Sequence, residues 1–330
     1  MTDALFITSD ETRGLATAGE YVGVVREGYR QVGEGAPTEP RTQLTGRDPP
    51  GLLTTYVAIL PETGAMGGYT YAAGFGDRDA HFVTPLFDAD SGAIRAVIDG
   101  AHMNPYKTGA AGAVGTDALA RADASTLAMV GSGPQAKGQL RGIATVRDLD
   151  RVDVYSPTKE NRESFASEMN SAVDATVAAV ASSAAAVEDA DIVVTATNAS
   201  DPVFDGDLLE PGAHVTAMGN YTVGKRELDD TTVATATYVL DLRARADRDA
   251  ASLMAARENG AVGEDHLHGD LGEVLTGEAA GRTSDDEITV FDSGGTAVET
   301  VAAAQMLYER AAERGLGETL PFAPASEAME

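Results

Sequence analysis

Between Leu127 and Gly142 the chain reads LAMVGSGPQAKGQLRG: an apolar run, a bend through two glycines, then a restart with helix-forming residues. Gly131, Gly133 and Ala136 form the spacing G-x-G-x-x-A. In a strand–turn–helix unit the first glycine permits the tight turn and the second lets a pyrophosphate approach the main chain. The third small residue lets helix and strand pack closely. Unbonded N–H groups and the dipole at the helix start favour an anion there. The flanks agree with this reading: STLAMVG before the bend reads as a strand, PQAKGQLRGIATV after it as a helix, and RVDVYS as the next strand. Gly131, Ser132, Gly133, Pro134, Gln135 and Ala136 are therefore expected to cradle a dinucleotide.

The same alternation continues to about residue 295. KENRESFASEM reads as a helix, ATVAAV as a strand and SSAAAVEDA as a helix. DIVVTAT, GAHVTAMG, TYVLDL and EITVFDSGG read as further strands. Strands alternating with helices imply a parallel sheet with crossover helices. At the end of the second strand an acid would bind a ribose 2′-hydroxyl and select NAD. Asp153 lies inside that strand, and its end carries Ser156, followed by Thr158, Lys159 and Arg162. Hydroxyls and cations suit a 2′-phosphate, so NADP(H) is the preferred cofactor, with NAD(H) the alternative.

The first 120 residues follow another pattern. Residues 10–33 place Leu15, Tyr21, Val22, Val25, Tyr29 and Val32 near helical spacing, and GEGAPTEPRTQL reads as a loop. LLTTYVAIL, YTYAAGF, HFVTPLF and IRAVID alternate with turn signals and read as antiparallel strands, and a small-residue helix is expected over Lys107–Arg121. Near the C-terminus Val298, Val301, Ala302, Met306 and Leu307 form one stripe of a helix, and from Pro321 the tail reads as a loose end.

Composition removes several function classes. The net charge is −28, with four lysines against twenty arginines. So acidic a chain is not built to neutralise phosphates or to bind anionic membranes. It fits a cytoplasmic protein of a high-salt organism, kept separate by charge where salt screens ordinary repulsion. There is no cysteine, which excludes disulfides and thiol catalysis. The five histidines show no ligand spacing beyond His266 and His268, so no metal site is expected. No apolar run approaches the ~20 residues that span a bilayer, and the N-terminus does not read as a signal peptide.

Several longer stretches are distinctive in combination: PLFDADSGAIRAVIDGAHMNPYKTGAA, VGSGPQAKGQL, ADIVVTATNASDPVFDGDLLEPGAHVTAMG, VGKRELDD, HGDLGEVLTGEAAGR and VFDSGGTAVETVAAAQMLYERAAERGLG. Together they resemble the ornithine cyclodeaminase/mu-crystallin family. The resemblance implies an α/β fold in which a Rossmann-type NAD(P)-binding domain, residues 123–295, is inserted into an α+β substrate-binding and dimerisation domain, residues 1–122 plus 296–330. It also implies a homodimer and hydride exchange between a nicotinamide and the α-carbon of an amino or imino acid.

Residue by residue, the resemblance gives Arg41 to the substrate carboxylate, which its guanidinium fork matches. Lys107 stands where most members carry an arginine that serves carboxylate and cofactor, with Thr108 near phosphate, and it is carried as a substrate-binding residue. Thr195, Ala196 and Thr197 join the cofactor set. Two members of the catalytic machinery differ: Tyr69 stands where the family keeps a lysine, and Tyr221 where it keeps an aspartate. A tyrosine beside a cation can act as a general acid, so Tyr69 and Tyr221 are carried as catalytic candidates with Lys107. Without the lysine, reduction of a preformed imino acid survives best. A non-catalytic NADPH-binding protein of mu-crystallin type is the alternative, followed by an ornithine cyclodeaminase or alanine dehydrogenase proper.

Overall fold

The computed structural model describes residues 2–76, 79–218 and 224–327. It forms two compact units, Met1–Lys107 with Thr296–Glu330, and Thr108–Gly295. The first boundary falls inside a helix, after Lys107, rather than at the expected residue 122.

The first unit is built on a seven-stranded sheet in the order β15-β1-β6-β5-β4-β3-β2. These strands are β1 (Thr2–Ile7), β2 (Thr38–Arg47), β3 (Pro50–Leu60), β4 (Ala65–Ala73), β5 (His81–Asp88), β6 (Ile94–Asp99) and β15 (Glu318–Phe322). β2 to β6 form an antiparallel meander, of which the apolar runs predict β3 to β6, and β6 pairs in parallel with β1. Helices α1 (Ala18–Gly33) and α9 (Ala297–Glu313) complete the unit and pack on each other. α1 starts at a Thr17–Glu20 capping box, which satisfies end N–H groups that would otherwise be orphaned. α9 also packs on β3 and β4, and its residues Ala297–Leu307 are all buried, the polar Glu299 and Gln305 among them.

Two expectations fail here. The segment read as the loop GEGAPTEPRTQL contains most of β2. Pro40 is tolerated because β2 is an edge strand and because its pairing with β3 shifts register between Glu39 and Thr42. The tail read as loose from Pro321 is β15, which pairs antiparallel with β1, Pro321 facing Asp3. Neither strand of that pair announces itself, since each finds its partner at the far end of the chain.

The second unit is an all-parallel eight-stranded sheet in the order β13-β12-β14-β11-β10-β7-β8-β9. Its strands are β7 (Thr126–Val130), β8 (Arg151–Tyr155), β9 (Thr176–Ala179), β10 (Ile192–Thr195), β11 (His214–Ala217), β12 (Thr237–Leu240), β13 (Leu267–Asp270) and β14 (Thr289–Asp292). Helices α3 (Pro134–Ile143), α4 (Lys159–Met169) and α5 (Ser183–Val187) fall where the alternation predicts. α6 (Asp230–Thr235), α7 (Ala251–Glu258), α8 (Leu271–Thr276) and β13 had no sequence reading. The chain runs outward one way through β7, β8 and β9, then restarts on the other side of β7 with β10. This makes β7/β10 the topological switch point, where ligands bind in open α/β sheets.

Helix α2 (Met103–Leu119) begins one turn before the expected Lys107. Within the second unit it is tied to the sheet by a buried polar string. The Thr116 hydroxyl meets that of Thr216 at 3.2 Å, and the His214 ring lies between Thr216 and Thr289, 2.9 Å from each hydroxyl. Burial lowers the His214 pKa to about 3, so the imidazole stays neutral. Among the described residues no helix is long and apolar enough to cross a membrane.

Candidate active site

In the second unit the candidate phosphate cradle is made of main chain. Gly131 follows β7 with φ +124°, and a Cβ there would lie 2.3 Å from the Ala196 carbonyl oxygen at the end of β10. Only glycine permits both the dihedral and the approach of the two switch-point loops. The Gly131 N–H donates to the Tyr155 carbonyl at 2.8 Å, and the Ala196 N–H to that of Val130 at 2.9 Å, so the turn is pinned from both neighbouring strands. Gly133 is the N-cap of α3. It supplies no side-chain cap, Pro134 opens the helix, and a Cβ at Gly133 would meet nothing within 4 Å. A helix start with uncapped N–H groups and an open approach is what a pyrophosphate requires. Ala136 is fully buried, as the third small position demands.

Polar side chains fasten the rim. Ser132 donates its hydroxyl to that of Ser156 at 2.9 Å, linking the loops after β7 and β8. The Thr108 hydroxyl donates to the Gln135 side-chain oxygen, and the Gln139 amide donates to the Thr108 carbonyl at 2.8 Å. These bonds hold α2 to α3 at the loop. At the end of β8, Asp153 is confined within the strand beside Arg151, 3.2 Å away. Beyond it the Arg162 guanidinium donates to the Ser156 carbonyl at 2.9 Å and sits 5.8 Å from the Tyr155 ring centroid. Thr158 is the N-cap of α4 without a side-chain cap bond, and Lys159 is exposed, 3.6 Å from Glu163.

The threonines at the end of β10 and just beyond it are tied to a buried acid. Thr195 is fully buried, and its hydroxyl donates to Glu227 at 3.0 Å. Thr197 gives its N–H and its hydroxyl to the other Glu227 oxygen at 2.7 and 2.6 Å. Glu227, 2% exposed, thus sets the loop that carries Ala196 against Gly131. In the sequence Glu227 lies within VGKRELDD, where no local pattern gives it a role.

A second buried network was also missed. Arg245, 1% exposed, donates to Asp241 and Asp249 at 2.6 Å each. The other Asp241 oxygen accepts from the Ser293 hydroxyl at 2.9 Å and from the Gly294 and Gly295 N–H groups at 3.0 Å. Tyr238 donates to Asp292 at 2.5 Å. Burial pushes the Asp292 carboxyl upward against the pull of Arg245, and burial with the Asp292 charge raises Tyr238. This cluster fixes the Ser293–Gly295 turn, the last residues of the unit.

The first unit gathers cations on aromatic rings. Where β2 shifts register, Pro40 and Arg41 together oppose Tyr56 of β3, a bulge that re-aims a side chain. Arg41 is consequently 8% exposed, its guanidinium carbon 5.2 Å from the Tyr56 ring centroid. Tyr69 pairs across β3/β4 with Tyr56 at 5.8 Å, stacks on Phe82 at 5.1 Å and meets Tyr71 at 5.6 Å. The Lys107 ammonium lies 4.9 Å from the Tyr69 ring centroid. It also bonds Glu299 at 3.0 Å, with side chains 3% and 0% exposed. The second Glu299 oxygen accepts from the Tyr29 hydroxyl at 2.8 Å. Glu299 sits in the first turn of α9, whose N-cap is Thr296, so the helix dipole adds to its stabilisation.

Arg41, Tyr69 and Lys107 thus converge on one aromatic set within this unit. Glu299 and Tyr29 belong with them and had no functional reading; an acid inside the apolar VETVAAA stretch was the available signal. Tyr221 lies outside the described residues. His266 and His268 bond the main-chain carbonyls of Val233 and Ala280, and among the described residues no cluster of acids and histidines could hold a metal ion.

The chain is 36% identical over 267 residues to the Δ1-pyrroline-2-carboxylate reductase of Bacillus cereus, covering 81% of this chain and 79% of that protein. It is 30% identical over 324 residues to the alanine dehydrogenase of Archaeoglobus fulgidus, covering 97% and 99%. Its fold matches the structure of Thermococcus litoralis Δ1-pyrroline-2-carboxylate reductase in complex with NADH and L-proline, with a TM-score of 0.91 at 28% identity over 96% of this chain and 100% of that one. The family model for ornithine cyclodeaminases and mu-crystallins matches residues 3–315. This chain, with its Gly131 cradle and its Arg41–Tyr69–Lys107 constellation, belongs to the ornithine cyclodeaminase/mu-crystallin family.

Proposed function

We propose that this chain reduces a preformed imino acid, Δ1-pyrroline-2-carboxylate or a near relative, to the corresponding amino acid. It is an NAD(P)-dependent oxidoreductase of its family, acting on a carbon–nitrogen bond as its reductase relatives do. The observation that carries the choice of reaction is the state of Lys107. It is the only lysine before residue 137, and it is held in a buried ion pair with Glu299. A cyclodeaminase or an amino-acid dehydrogenase must also move ammonia or water with several proton transfers. A preformed imine needs only a hydride at carbon and a proton at nitrogen.

The residues fit the cofactor. The main chain from Gly131 to Gln135 would hold the pyrophosphate, with Ser132 and Ser156 at its rim. Ser156, Thr158, Lys159 and Arg162, with no carboxylate at the tip of β8, favour NADP(H) over NAD(H). When bound, a reduced nicotinamide would supply the hydride that reduction of an imine needs. Arg41 pairs with the substrate carboxylate through its planar fork. The C=N electron pair moves onto nitrogen, and Tyr69, under the Lys107 ammonium, is the group we assign to that nitrogen's proton. Tyr56, Tyr71 and Phe82 give the ring an apolar wall and exclude water. Tyr221 stays a second candidate proton donor.

The outer face of the seven-stranded sheet exposes Leu53, Val57, Ile59 and Val83, an apolar surface suited to a second copy of the chain. We place the homodimer there and the protein in the cytoplasm of a high-salt organism. The test is oxidation of NADPH by the purified chain in molar KCl with Δ1-pyrroline-2-carboxylate. The expected result is turnover with NADPH preferred over NADH. Tight NADPH binding without turnover on any imino acid would overturn the enzymatic reading in favour of a binding protein.

A further inference from the structure

The first unit brings two cations to one aromatic set, yet one of them already has its counter-charge. Lys107 and Glu299 form a neutral pair at 3.0 Å, both buried. The Glu299 carboxylate is fixed in position by the Tyr29 hydroxyl at 2.8 Å and the Thr296 hydroxyl at 3.4 Å, in the first turn of α9. In a site of low dielectric a neutralised ammonium has little attraction left for a further anion. A second substrate carboxylate brought there would meet the Glu299 charge instead, and an uncompensated buried carboxylate is strongly disfavoured. Tyr69 stands among the rings of Tyr56, Tyr71 and Phe82, with centroids 5.1 to 6.4 Å apart. They suit carbon, not charge.

We propose that Glu299 determines substrate charge: by neutralising Lys107 it restricts the site to imino acids with a single carboxylate and an apolar remainder, and it rejects dicarboxylates. This rests on the proposed function, in which Arg41 takes the one carboxylate. Specificity of this kind comes from a repulsive element as much as from an attractive one. Glu299 is thus a specificity residue acting through Lys107, and Tyr29 is its positioning partner.

The test compares two imines with the full chain at saturating NADPH: Δ1-pyrroline-2-carboxylate, and the open-chain dicarboxylate imine formed in solution from oxaloacetate and ammonium. Wild type should prefer the cyclic monocarboxylate by about 100-fold or more in kcat/KM, as expected for rejection of an unpaired buried charge. Glu299→Gln keeps the shape and removes the charge. It should reduce that ratio at least about tenfold, through a lower KM for the dicarboxylate. Glu299→Asp should retain the wild-type ratio, and so should Tyr29→Phe, which leaves the charge in place. A purely structural role for Glu299 would lower both activities together and leave the ratio unchanged.

Calorimetric titration of wild type with L-proline and with L-aspartate in the presence of NADP⁺ reads the same preference without turnover or substitution. Equal use or equal binding of mono- and dicarboxylates by wild type, or a Glu299→Gln variant with the wild-type ratio, overturns the inference. A wild-type chain that discriminates in the titration but reduces neither imine overturns the proposed function alone.

Discussion

The two units solve their binding problems with different materials. The candidate cradle of the second unit is main chain: a glycine at φ +124°, an uncapped helix start and a turn pinned by an N–H bond to β8 and another from the residue after β10. The first unit uses side chains drawn from separate elements: Arg41 from a bulge in β2, Tyr69 from β4, Lys107 from α2 and Glu299 from α9. Main chain is the same for every residue, so the cradle depends on where side chains are missing. The cation–aromatic set depends on which side chains are present. The first arrangement fails where a Cβ is added at Gly131; the second fails with the loss of a single charge.

That contrast can be broken most directly at Arg41. Arg41→Ala should lower kcat/KM for the imino acid by about 10²–10³-fold, the usual consequence of losing one partner of a desolvated charge pair. Fluorescence titration should show NADPH affinity unchanged, because the cradle belongs to the other unit. Equal loss of both would show that the units do not divide the labour. The reciprocal variant is Gly131→Ala. Its Cβ would lie 2.3 Å from the Ala196 oxygen at a positive φ, so NADPH affinity should weaken about 10- to 100-fold, a cost of the size expected for a strained backbone position. An unchanged dissociation constant would remove Gly131 from the cradle.

A smaller effect sharpens the second unit's side-chain contribution. Lys159→Glu should weaken NADPH by about threefold to tenfold while leaving NADH within twofold, since Lys159 is exposed and its pairing is screened. Parallel changes for both cofactors would return Lys159 to an ordinary helix-start residue. The smallest effect per residue is spread over both units. With a net charge of −28, the melting temperature should rise by several degrees or more between low salt and molar KCl as screening relieves self-repulsion. A melting curve insensitive to salt would contradict the high-salt reading.

Much of this fold was legible because its signals are local. The G-x-G-x-x-A spacing, the alternation from β7 to β10 and the apolar stripe of α9 each lie within a few residues of one another, and the helix start at Lys159 was read to the residue. Where the signal is not local, the reading failed. β15 and β1 are a strand pair only because the two chain ends meet, and β2 survives its proline only because it is an edge strand with a bulge. The candidate site divides in the same way. Ser132, Gln135 and Ser156 follow from the motif, whereas the burial of Thr195 against Glu227 depends on a residue more than 30 positions away.

By itself, then, the sequence determined the parallel sheet, the glycine turn that follows β7 and the family, because periodicity, turn chemistry and glycine spacing are properties of neighbouring residues. Only the tertiary structure decided what Lys107 does. Its partner, Glu299, is 192 positions along the chain, and two buried charges choose each other through burial and distance, which no local pattern encodes.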